Sequence, residues 1–216
     1  MDHPERVNGG WFGCRRGTEK LYGGTCAGRG GGNMTAGPLG RVPTRPWRRR
    51  AAVGILGGLT VAFAVATARL FVFPHQDAPA PVDAIVMFAG SPGRLERAVA
   101  LARAGYAPVL AVSAPTEKDP CPGPIPGVEV ICFSPDPRTT QGESRWTSAA
   151  AARRGWHSLI VVASTSQSTR ARLRLARCYD GETRMQGVPP PRRAWPYVIA
   201  YEWAALGKAL VLQRHC

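Results

Sequence analysis

The chain has 216 residues, of which 28 are Lys or Arg and 14 are Asp or Glu, for a net charge of +14. That length allows one domain with appendages and leaves little room for two. The 44% hydrophobic content excludes a wholly disordered chain. The charge divides as +7 over residues 1–50, +1 over 51–73 and +6 over 74–216. Half of it therefore precedes a single apolar run, so the total is not a nucleic-acid footprint.

Residues 1–33 are Gly-rich, with Trp11, Arg15, Arg16 and the run Gly30-Gly31-Gly32, and show neither helical nor strand periodicity. Together with the basic stretch that follows, they predict a disordered tail over 1–50. A chain starting at Met34 would carry a short basic leader, so Met34 is the expected start.

Ala51–Ala68 contains no charged residue, and the apolar character resumes after Arg69 as far as Phe73. At about 1.5 Å per residue this is long enough to cross roughly 30 Å of hydrocarbon. Arg69 stands near the far end, where its side chain can snorkel. Arg45, Arg48, Arg49 and Arg50 flank the near end, which predicts a cytoplasmic N-terminus and an outer C-terminal domain. Ala66-Thr67-Ala68 has the small-x-small form of a signal-peptide cleavage site, and a buried core helix is the third reading. The arginine cluster favours a single-pass anchor over 51–73. A linker over 74–82 follows, stiffened by Pro79 and Pro81.

Four cysteines lie beyond the apolar run, an even number that suits an oxidising compartment. The preferred pairing joins Cys121 to Cys132 across a Pro/Gly-rich stretch and Cys178 to Cys216 at the chain end. Metal binding is not expected, since no C-x-x-C occurs and only His75, His157 and His215 follow the run.

Over 83–216, strand-like and helical patterns alternate. Strands are predicted at Ala84–Phe88, Val109–Val112, Val128–Cys132, Leu159–Ala163 and Thr183–Val188. Helices are predicted at 94–104, 140–154, 166–178 and 197–212. Thr140-Gln141-Gly142-Glu143 has the form of a capping box, in which Thr and Glu each satisfy an amide at the helix start. The order predicts an α/β fold, a mainly parallel, doubly wound, Rossmann-like sheet in three layers behind one transmembrane helix. Such sheets bind ligands outside the carboxyl ends of their strands.

Two loops converge on that edge. Ala89-Gly90-Ser91-Pro92-Gly93-Arg94 leads into a helix N-terminus and suits an anion, although G-x-G-x-x-G is absent. Ser164 through Arg170 offers hydroxyls and one arginine at a second helix start. Arg172, Arg174 and Arg177, further down that helix, are expected on a solvated face.

These motifs together resemble the YdcF/SanA/ElyC-like family of envelope-associated domains. The resemblance covers about Asp83 to Glu202. It rests on Arg94, Ala98, Leu101 and Gly105, on Val112-Ser113, on Thr139-Thr140 with Glu143, on Ser164 through Arg170-Ala171, and on Glu202. The glycine loop is thinner than the family's, Thr139 replaces an asparagine, and Gln167 replaces a histidine. Glutamine cannot exchange a proton near neutral pH, so the resemblance implies a binder or an impaired catalyst. It implies ligand contacts at Gly90, Arg94, Ser113, Thr140, Ser164, Gln167 and Arg170. The resemblance alone brings in S-adenosylmethionine, which some members are thought to bind.

The expected function is an envelope protein that holds a phosphate-bearing, anionic or lipid-linked ligand, with membrane lipid as a second partner and no nucleic acid. The alternative is an extracytoplasmic hydrolase or transferase. For that, Ser113 or Ser164 lacks a visible base, and Glu143 and Glu202 are weak acid–base candidates whose other reading is structural, each paired with an arginine.

Overall fold

The computed structural model describes residues 46–216 apart from 91, 115, 117, 118 and 120. The expected tail (but for its last five residues), the start at Met34, and Cys14 and Cys26 lie outside the described residues. Helix α1 runs Pro46–Thr67 and widens into a π-helical turn at Ala68–Val72. Proline suits a first helical position, where its missing amide has no partner to lose. The helix thus begins five residues before the expected span and takes Arg48, Arg49 and Arg50 into its first turns. Trp47–Val72 is one helix long and apolar enough to cross a membrane. Its side chains are exposed from Trp47 to Val65, whereas Phe71 is fully buried.

The rest of the chain forms strands β1 (Ala84–Met87), β2 (Val109–Ser113), β3 (Glu129–Phe133), β4 (Ser158–Ser164) and β5 (Glu182–Val188). Helices α2 (Arg94–Arg103), α3 (Thr140–Arg154), α4 (Ser168–Leu175) and α5 (Trp195–Val211) alternate with them. Every strand pair is parallel, in the order β3-β2-β1-β4-β5. This is the predicted α/β sheet, now entirely parallel. The inner strands are covered on both faces, which explains why β1 and β2 read as unbroken apolar runs.

Alternation sends Ile85, Leu110 and Ile160 to one face, where Ala98, Leu101 and Ala102 of α2 cover them. Val86, Ala111 and Val161 meet Ala150 and Ala151 of α3 and Ala171 and Leu175 of α4 on the other. From β1 the chain steps outward to β2 and β3, then returns to lay β4 on the opposite side of β1. The switch point therefore lies between the carboxyl ends of β1 and β4.

Both preferred disulfides form. Cys121–Cys132 ties the β2–β3 connection to β3 across a sequence separation of 11, and Cys178–Cys216 spans 38. The linker is not a free spacer. The Asp77 amide donates to Met185 O, the Gly187 amide donates to Gln76 Oε1, and Asp77 Oδ2 accepts from the Met185 amide and from Arg172. Residues 76–77 thereby cover the outer edge of β5, which would otherwise expose its backbone groups.

Helix α4 ends at Leu175, short of the expected 178, and Arg174 on it and Arg177 in the turn after it correct a second expectation. Arg174 is buried, and both Arg174 and Arg177 donate to the Gln213 carbonyl. Arg177 also donates to Ala209 O, so the pair satisfies carbonyls that the end of α5 leaves open. Gln141 and Arg145 of α3 bind the Cys216 carbonyl from the other side.

Candidate functional site

A cavity of about 310 Å³ opens at the switch point. Gly90 after β1, Thr140 and Glu143 at the start of α3, Ser164 at the end of β4 with Gln167 and Arg170 just beyond it, and Glu202 of α5 all line it. Seven of the nine expected ligand-binding or acid–base residues thus meet at one surface, drawn from four separate chain segments. Arg94 and Ser113 stand behind the wall rather than on it.

The centre is Thr140. Its Oγ1 accepts from Arg170 Nη1 at 2.6 Å and from Gln167 Nε2 at 2.9 Å. Both lone pairs are then used, and the hydroxyl proton is left to be donated elsewhere. Arg170 spends its remaining fork on Glu202, with Nε to Oε2 at 2.8 Å and Nη2 to Oε1 at 2.9 Å. Burial works against the charge of Arg170, but Glu202 more than offsets it and holds the guanidinium above its ordinary pKa. Arg170 is therefore first a positioning group, clamped in a two-point ion pair.

Glu143 corrects the capping-box expectation. The cap of α3 is Thr139, one residue earlier, whose hydroxyl accepts a long 3.5 Å bond from the Gly142 amide. Glu143 lies one position too deep to reach back to the cap, and its Oε1 instead accepts from the Ala89 amide in the loop after β1. That amide belongs to the loop expected to hold an external anion, so the protein fills this position with its own carboxylate.

Burial raises the Glu143 pKa above the ordinary 4.5, and the Ala89 amide, Ser113, Arg94 and Arg170 only partly oppose it. The Ser113 hydroxyl is buried and approaches Glu143 without a well-formed hydrogen bond. Arg94 is buried too, and desolvation brings it down to about 10 despite the attraction of Glu143.

Two local features fix this geometry. Gly90 has φ +139°, and a Cβ there would fall 2.8 Å from Arg94 Nη2, so the guanidinium lies flat against the loop. A Cβ on Gly142 would fall 1.9 Å from Pro137 O, so the first turn of α3 packs directly on the loop after β3. That loop carries Arg138, an exposed cation on the cavity rim with no ion-pair or hydrogen-bond partner among the described residues. Sequence reading missed Arg138, as it missed Tyr201, which also lines the cavity, whereas Ser166 belongs to the hydroxyl loop it pointed to. Arg138 sits in irregular chain with no period, motif or charge cluster to mark it.

His157 ends at the opposite edge of the sheet, just before β4, and brings no imidazole to the cavity. Set against protein-family models, curated proteins and solved structures, the chain matches none.

Proposed function

We propose that this is a single-pass, membrane-anchored protein of the YdcF-like kind whose extracytoplasmic α/β domain binds an anionic, phosphate-bearing ligand of the cell envelope. The observation that carries this reading is the one-sided polarity of the cavity. Thr140 has both lone pairs occupied, and both Glu202 oxygens are taken by Arg170. The Oε1 of Glu143 is taken by the Ala89 amide, and Arg138 adds a charge at the rim. The Thr140 proton and the Arg138 guanidinium are donors suited to the oxygen-rich surface of a phosphate. The anchor reading draws on the exposed apolar helix, and the oxidising side on the two disulfides.

The test is thermal unfolding of the detergent-solubilised chain with a polyisoprenyl phosphate, the corresponding alcohol, a muropeptide, a nucleotide and S-adenosylmethionine. At about 100 times its dissociation constant a ligand stabilises by roughly 2.7 kcal/mol, a shift of several degrees. The polyisoprenyl phosphate should give that shift, the alcohol should not, and Thr140→Val or Arg138→Ala should reduce it. A shift with the alcohol equal to that with the phosphate would overturn the reading.

The second reading, a hydrolase or transferase on an envelope precursor, has one observation of its own. Glu143 is a buried carboxyl of raised pKa in a cavity wall, the environment of a general acid. Turnover of a phosphate-linked precursor, abolished by Glu143→Gln and accelerated by Gln167→His, would favour it.

A further inference from the structure

Helix α5 is inverted relative to an ordinary surface helix. Such a helix turns its apolar stripe inward and its charges outward. Here Glu202 is the carboxylate of α5 and points inward to Arg170, alongside Leu206 and Ala209. The outward face carries Tyr197, Ala200, Tyr201, Ala204, Lys208 and Val211, which recur at three- and four-residue spacing. Tyr197 is 74% exposed and Val211 63%, and the face carries one charged side chain, the amine of Lys208. Arg192 and Arg193 stand exposed just before the helix.

The position of this face identifies what covers it. Trp203 stacks on Phe63 at 5.1 Å, meets Phe71 edge-on at 5.2 Å, and donates its indole N–H to Thr67 Oγ1 at 3.1 Å. Helix α5 is therefore held alongside the last turns of α1. Counting about 1.5 Å per residue from Arg50, Phe63 lies about 20 Å along the axis and Phe71 about 32 Å. Hydrocarbon is roughly 30 Å thick, so Trp203 falls in its far quarter and at the boundary beyond, where indole and phenol rings collect. Bare tyrosines and aliphatic groups on one face, with basic residues at the end, are the composition of a helix that lies in a membrane interface.

We infer that α5 is a second membrane element, an interfacial helix seated in the leaflet that the C-terminal end of α1 reaches. This rests on α1 spanning the bilayer. It brings the cavity to the membrane surface, because Val198, Tyr201 and Glu202 of α5 form one of its walls.

The experiment uses the full chain in vesicles of neutral and anionic phospholipid. A photoactivatable benzoylphenylalanine is placed singly at Leu59 in α1, at Ala204 or Val211 in α5, or at Glu96 on the exposed side of α2. All four positions are exposed, so the fold is retained. Illumination should give lipid adducts at Ala204 and Val211 at the yield seen at Leu59, and Glu96 should match the unilluminated control. Adducts at Leu59 with none at Ala204 or Val211 would overturn the inference and leave the anchor standing. Equal adducts at Glu96 would overturn it as well, since α5 would then be no closer to lipid than α2. No adducts at Leu59 would remove the anchor and the inference together.

Discussion

Arg170 and Glu202 stand 32 residues apart, and nothing in their spacing announces the two bonds between them. Removing either partner of so buried a pair strands a charge, at a cost of about 3–5 kcal/mol. A stability loss in Arg170→Ala therefore says little about ligand contact, and Thr140 and Arg138 are the cleaner probes. Glu143 invites a different measurement. Folded, its carboxyl keeps its proton to a pH above 4.5, the value at which it ionises when exposed. The stability it contributes is then full below 4.5 and is lost as pH rises through the folded value. Glu143→Gln keeps an acceptor for the Ala89 amide and carries no charge. Unfolding free energies of the two proteins from about pH 4 to about pH 8 should diverge, with the variant gaining on the native chain as pH rises. Parallel curves would mean that folding leaves the Glu143 carboxyl at its ordinary pKa. Asp77 and Asp83 act in the opposite window. Burial raises the Asp77 pKa, but the Met185 amide and Arg172 outweigh it. The His157 amide leads in lowering that of Asp83. Their contribution is present above 3.8 and lost as pH falls, so it does not mask the slope from Glu143.

The elements were legible wherever one local rule governed them. Strands β1, β2 and β4 read as continuous apolar runs because both of their faces are covered, and α3 stops at Gly155 because a φ of +69° favours glycine there. The site was legible as a set of loops, because a parallel sheet places all its carboxyl ends on one edge. What stayed hidden depended on distant partners. Thr139 rather than Thr140 caps α3, which leaves Glu143 one position too deep for the cap and its carboxylate on the Ala89 amide, and Arg174 is buried because the turn after α5 folds back over α4. The disulfides make that last arrangement measurable. Closing 38 residues removes more freedom from the unfolded chain than closing 11, about 3.9 against 2.8 kcal/mol by loop entropy. Replacing Cys178 and Cys216 by alanine should therefore lower the unfolding temperature more than replacing Cys121 and Cys132. The reverse order would mean that Arg145, Arg174 and Arg177 hold the chain end without the bond.

At the scale of the whole molecule, charge, thiols and the apolar helix bear on a single question of orientation. Arginines at 45, 48, 49 and 50 outweigh Arg69 at the other end, and on the proposed anchor this bias would direct the N-terminus to the cytoplasm. On that orientation the two bonded pairs would face an oxidising compartment, and in a chain begun at Met1 Cys14 and Cys26 would face a reducing one. The six cysteines thus report topology in the untouched protein. Alkylation of the membrane-inserted chain begun at Met1, followed by reduction and a second, distinguishable label, should place the first label on Cys14 and Cys26 and the second on the other four. Replacing the four arginines by alanine removes the bias, and a fraction of chains should then insert inverted, with the domain among reducing thiols. In that fraction Cys178 and Cys216 take the first label, and because those chains cannot tie the end of α5 to α4, they should also unfold at lower temperature. First label on Cys178 and Cys216 in the native chain would place the domain on the reducing side, and the envelope reading would fall with it.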